Sequence, residues 1–165
     1  MAMIKKSEAY LKSGKTYCVK KKYALAIADF NKSIELENKI EYTASAHHWL
    51  GYAYFQLGKY SEGIANHREA TRLDPGAVIY YTDWAIDCIN TKKYDEAIHA
   101  STAGIKHNRT KHTPEGALLY AHRGLAYEEK GEYRKAINDF KKAIEFDPAF
   151  KGYRSNLNRV LQKAK

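Results

Sequence analysis

The stretch ALLYAHRGLAYEEKGEYRKAINDFKKAIEFDPAF, residues 117–150, decides the fold. Tyr120 and Tyr127 stand seven residues apart, so on a helix they share one face. Gly124 falls between them, where a second helix backbone can approach closely. Gly131 stops this helix. Tyr133 opens a second one, which carries Ala136, Phe140, Ala143 and Ile144. Asp147-Pro148 closes the unit, because proline cannot continue a helix and the aspartate is expected to cap the next one. Large aromatics alternating with small residues interlock as knobs and holes, which brings two helices to native packing density.

The pattern recurs along the chain. One copy starts at Ala44 and carries His47, Leu50-Gly51, Tyr54, Gly58, Tyr60, Gly63, His67, Ala70 and Asp74-Pro75. Another starts at Val78, with Tyr81, Trp84-Ala85, Cys88, Tyr94, Ala97, Ser101 and Gly104-Ile105. The first starts at Ser7, with Tyr10, Ser13-Gly14, Tyr17, Tyr23, Ala26, Phe30 and Ser33-Ile34. The matched small residues Ala26, Gly63, Ala97 and Ala136 are 37, 34 and 39 apart. Against a period of about 34, three extra residues fall within 37–43 and five within 107–116. Both insertions lie at joints between repeats, where a longer loop is tolerated. The expected repeats are therefore 7–40, 44–77, 78–111 and 117–150. A last helix follows, with Tyr153, Leu157, Val160 and Leu161 as its apolar face and Lys151, Arg154, Arg159, Lys163 and Lys165 outside. It is expected to cap the array over 151–165.

These four copies resemble the tetratricopeptide repeat. The resemblance spans residues 7–165 and implies an all-α fold, a right-handed superhelical α-solenoid of helix–turn–helix repeats forming a single domain. In that family the first helices line a concave groove that binds a peptide segment of another protein. The groove places implied are the second, fifth, ninth and twelfth of each repeat. They hold Glu8, Leu11, Lys15 and Cys18, then Ser45, His48, Tyr52 and Phe55, then Ile79, Thr82, Ile86 and Ile89, then Leu118, Ala121, Leu125 and Glu128. The expected partner-binding residues are Lys15, His48, Tyr52, Phe55, Ile86, Ile89, His122 and Leu125, with Ile79 and Leu118 on the border between groove and core. So apolar a groove implies a ligand that inserts apolar side chains, its polar ends meeting Lys15 and His122.

The resemblance narrows further by exclusion. The family's chaperone-binding members clamp a C-terminal carboxylate with Lys and Asn in one repeat, Asn in the next, and Lys and Arg in a third. Those places hold Leu11, Lys15, Trp49, Ile79 and Asp83 in one register and His48, Tyr52, Asp83, Leu118 and His122 in the other, so no cationic pocket is supplied. The translocator chaperones of type III secretion are similar in length but carry a non-repeat segment before their first repeat, whereas here the repeats begin by residue 7; a secretion-type chaperone stands as one alternative reading. Burial of the same surface in a homo-oligomer is the alternative to a foreign peptide.

Composition bounds the rest. The chain has 165 residues, 44% hydrophobic and 28% charged, with net charge +9. Residues 1–39 hold nine lysines and four acids (+5), and 151–165 hold five basic residues and no acid (+5). Residues 40–150 hold fourteen basic and fifteen acidic residues (−1). Charged ends solubilise a repeat stack, whereas a nucleic-acid binder shows a continuous basic stripe with interleaved aromatics. No nucleic-acid partner is therefore expected. No apolar run approaches the length of a membrane span and the start lacks a secretory signal's apolar run, so no membrane partner is expected either. Cys18 and Cys88 read as buried free thiols, which places the chain in the cytoplasm. The acceptor patterns at Asn31 and Asn108 are discounted on the same ground.

Nothing in the sequence points to catalysis, a metal or a cofactor. His47 and His48 project about 100° apart on a helix, His67 stands where the repeat places a packing ring, and His107 and His112 bracket the insertion without a carboxylate or cysteine at ligand spacing. His99 and His122 stand alone. Asp95-Glu96 and Glu128-Glu129 read as solvated helix faces. No phosphate loop or nucleophile elbow is present.

Overall fold

The computed structural model describes residues 2–36, 40–108 and 113–165. Among the described residues there are nine α-helices and no strand. They are α1 (Ala2–Val19), α2 (Tyr23–Leu36), α3 (Ile40–Gln56), α4 (Tyr60–Leu73), α5 (Val78–Asn90), α6 (Tyr94–His107), α7 (Pro114–Glu129), α8 (Tyr133–Phe146) and α9 (Lys151–Lys163). They form two compact units, Met1–Pro75 with α1 to α4 and Gly76–Lys165 with α5 to α9. Expectations that fall on residues 37–39 and 109–112, including His112 and parts of both insertions, lie outside the described residues.

In the first unit, each hairpin is locked by a ring lying on bare backbone. A Cβ on Gly14 would sit 2.4 Å from the Phe30 ring, and one on Gly51 would sit 2.2 Å from the His67 ring. Gly63 answers from the second helix, where a Cβ would come within 3.1 Å of the Gly51 carbonyl oxygen. His67 is thus a buried packing ring, as its place in the repeat implies. The open end of the first hairpin is stitched by Ser7 and Ser33, whose hydroxyls each donate to the other's backbone carbonyl at 3.0 Å.

The second unit repeats the device with one variation. The Phe140 ring lies on Gly124, 3.0 Å from where a Cβ would stand. In the hairpin of α5 and α6 the pair is Ala85 with Ser101, both fully buried. The knob shrinks as the hole fills, so the helices still meet.

The turns between paired helices follow one geometry. Lys22, Lys59, Lys93 and Glu132 donate their backbone N–H to the carbonyls of Tyr17, Tyr54, Cys88 and Tyr127 at 2.8–3.0 Å, the bond that ends a helix on a left-handed residue. Gly58 and Gly131 supply that residue at φ 75°. At the two equivalent places the chain uses Lys21 (φ 56°) and Lys92 (φ 60°), which an L side chain adopts at a cost of about 1 kcal/mol.

Three expectations change. Asp74 and Asp147 end the helix before them; the N-caps of α5 and α9 are Ala77 and Phe150, which make no side-chain cap. Asp147 instead accepts from the Ala149 N–H at 3.2 Å, an Asx turn. On α9, Tyr153 and Val160 are buried and Leu157 packs beside Val160, but Leu161 is exposed. Glu128 is not solvated: its side chain is 1% exposed. It accepts from Arg159 Nε and Nη2 at 2.8 and 2.7 Å and pairs with Lys163 Nζ at 2.9 Å. The outer face of α9 therefore bends back to anchor the helix on α7.

Candidate functional site

In the first unit, α1 and α3 divide their groove-register residues between core and surface. Leu11 and Cys18 are core, 5% and 3% exposed, packed with Phe30, Leu50 and Ala53. Burial pushes the Cys18 thiol up to about 11, so it stays protonated. Tyr52 stands at the surface, 38% exposed, with its ring edge-on to Tyr23 at 6.2 Å and to Trp49 at 5.8 Å. Partial burial, then the charge of the neighbouring Tyr23 phenol, raises the Tyr52 phenol. Lys15 lies half-buried with its Nζ over the Trp49 ring at 5.6 Å, a cation–π contact. His48 is half-buried, its ring against Trp49 and His67. Phe55 packs on Tyr60 at 4.8 Å. Three of the four expected residues of this unit, Lys15, His48 and Tyr52, thus stand against the Trp49 ring, while Phe55 packs apart from it.

In the second unit, Ile79 and Leu118 are exposed, Ile86 and Ile89 are half-buried, and Thr82 and Ala121 are core. Leu125 is turned toward the cluster of Ala136, Phe140 and Val160 and so contributes to packing under α9. His122 departs furthest from its expected role. Its imidazole hydrogen-bonds the Thr82 backbone, and its Nδ1 is enclosed with no hydrogen-bond partner among the described residues. Burial drives it down to about 4, against a smaller opposing pull from Asp83. At neutral pH it is an uncharged packing ring and cannot orient a charged ligand.

Polar side chains outside the expected site hold this unit's frame. Arg123 forks onto the Asp139 carboxylate with two bonds of 2.8 Å and reaches Thr102 Oγ1 at 3.2 Å. It therefore ties α7 to α8 and α6, with its guanidinium 5.5 Å from the Tyr120 ring centre. Trp84 Nε1 donates to Glu96 at 3.2 Å, so that carboxylate is structural as well.

Glycine-seated helical hairpins that leave part of their first-helix faces exposed define a class of helical-repeat, protein-interaction fold. Tetratricopeptide repeat models match residues 7–40, 44–76 and 117–150, and the chain belongs to the tetratricopeptide repeat family. The stretch 78–111 lies outside the matched residues, and it contains the Ala85–Ser101 pair that replaces glycine and ring. U-box domain-containing protein 70 of Oryza sativa subsp. japonica is 28% identical over 133 residues, 80% of this chain. The match spans 15% of that relative's length. Among solved structures, MamA superposes with a TM-score of 0.79 at 22% identity, covering 99% of this chain and 84% of that one. The first tetratricopeptide domain of Spaghetti (RPAP3), solved with the HSP90 peptide SRMEEVD, superposes with a TM-score of 0.64 at 24% identity, covering 72% of this chain and 90% of that one. Both likenesses are of fold. No described helix is long and apolar enough to cross a membrane.

Proposed function

We propose that the chain is a binding scaffold that takes an apolar peptide segment of a partner protein on its first-helix faces. The four repeats (7–40, 44–77, 78–111 and 117–150) present those faces, and 151–165 caps the last. The observation that carries this reading is Tyr52: a large ring held edge-on by Tyr23 and Trp49, yet left 38% exposed. An amphipathic, already ordered aromatic is what interfaces favour, because little side-chain entropy remains to be lost on binding. The exposed Ile79 and Leu118 add apolar area in the second unit, and Ile86 and Ile89 are half-buried there. The enclosed, neutral His122 takes no part, which leaves Lys15 as the charged member of the expected set.

Scaffolding without catalysis fits the ordered carboxylates Glu96, Glu128 and Asp139, each of which is held by a structural partner. The buried thiols of Cys18 and Cys88 suit a reducing compartment such as the cytoplasm. The test is selection from a random peptide library on the full chain, followed by binding measurements on Tyr52→Ala. Selected peptides should carry apolar anchors and lose affinity with the variant. Wild-type light scattering at a dimer mass, with no peptide selected, would favour self-association instead.

A further inference from the structure

We infer that the α1–α2 and α3–α4 hairpin tips of the first unit form a docking surface for an anionic lipid bilayer. The two tips lie side by side. Tyr23, which opens α2 directly after Lys20-Lys21-Lys22, packs its ring against Tyr52, one turn before the end of α3. Residues 19–25 and 56–62 together hold four lysines and a single acid, Glu62. Lys20, Lys21, Lys22 and Lys59 are exposed and form no ion pair among the described residues. Large apolar side chains stand among them: Val19 is 82% exposed, Leu25 49%, Leu57 45% and Tyr60 48%.

Lysines ringing exposed aliphatic tips are what a bilayer interface rewards, through attraction to acidic headgroups and insertion of the apolar tips. The tips are exposed turns closed by the Lys22–Tyr17 and Lys59–Tyr54 backbone bonds, and a fluid surface accommodates side chains that such turns present. Single-stranded nucleic acid would call for exposed rings to stack bases, but here the exposed tips are chiefly aliphatic and Tyr60 already packs on Phe55. Lys21, like Lys92 in the second unit, holds a left-handed backbone where Gly58 and Gly131 stand in the equivalent turns, so its charge is carried at a cost in stability. The absence of a spanning run bears on insertion across a bilayer and leaves this peripheral mode open.

The test is flotation of the full chain with vesicles of phosphatidylcholine alone or with about one third phosphatidylserine, at about 0.15 M salt. Binding is expected only to the acidic vesicles. Lys20→Gln with Lys22→Gln should lower it about 10- to 30-fold. Val19→Ser with Leu57→Ser should lower it about 10-fold. Lys21→Gly should bind less yet melt higher, an opposite response that separates the surface role from folding. No preference for acidic vesicles overturns the inference. So does binding that ignores Val19→Ser with Leu57→Ser and is matched by a single-stranded RNA, which would make the tips a general polyanion surface.

Discussion

Arg159 on α9 forks onto Glu128 on α7, and Glu128 is almost fully enclosed while Arg159 is nearly half exposed. This asymmetry predicts unequal mutational costs. Glu128→Gln leaves two cations in water and should cost about 1–2 kcal/mol. Arg159→Ala with Lys163→Ala leaves a buried carboxylate alone and should cost about 3–5 kcal/mol, or undock α9. Hydrogen bonds from Arg159 are the main cause holding the Glu128 carboxyl below its ordinary 4.5. Its contribution is therefore present at neutral pH and lost as the pH falls below that value. Denaturant melts of the two variants at pH 7, and of a chain ending at residue 150, check this; equal costs would mean that α9 is not anchored through Glu128.

His122 gives a second pH signature of the same sign at higher pH. Its folded value of about 4 lies below the ordinary 6.5, so the folded state binds fewer protons. Stability attributable to the neutral ring is complete above about 6.5 and is lost progressively down to about 4, up to about 3 kcal/mol in all. The stability gap between the wild-type chain and His122→Gln should narrow across that window in pH-dependent melts. A constant gap would place the ring in water.

Two glycines with similarly short contacts should respond oppositely to alanine. At Gly51 the obstacle is the His67 ring, fully buried, so Gly51→Ala should cost about 2–3 kcal/mol. At Gly152 the obstacle is Phe150, which rests edge-on against Tyr153 at 4.7 Å but is 54% exposed and has solvent to move into. Gly152→Ala should therefore be neutral or stabilising by about 0.5 kcal/mol, from helix propensity. Thermal melts of both variants distinguish a packing glycine from a replaceable one.

Lys92→Gly should raise stability by about 1 kcal/mol, because glycine adopts φ 60° without the strain an L side chain carries. Gly131→Ala, at φ 75° in the equivalent turn, should lower it by a similar amount. Melting temperatures moving the other way would show that the turns are not the left-handed caps described here.

The hairpins were legible because their packing is written in residue size at fixed spacing: Gly14 under Phe30, Gly51 under His67 and Gly124 under Phe140. The turn glycines Gly58 and Gly131 were legible for the same local reason. What the repeat pattern hid was direction. Leu11, Cys18, Thr82 and Ala121 sit in the groove register but are buried, and a register does not record which neighbours cover a place. Glu128 reads as a surface acid until α9 supplies its cations from some thirty residues away. His122 has a partner, the Thr82 backbone, that no side-chain pattern announces. On the candidate face, Tyr52 is legible from its place in the repeat, whereas the role of Trp49 depends on its ring contacting both Lys15 and Tyr52, which the repeat pattern does not encode.

Peptide binding by the first-helix faces through exposed apolar anchors is measured by calorimetric titration of a library-selected peptide into the wild-type chain and Tyr52→Ala. The helical circular dichroism of both should be the same, and Tyr52→Ala should weaken binding by about 2 kcal/mol, roughly 30-fold. Unchanged affinity with an intact fold would contradict the account and move the binding surface away from α1 and α3.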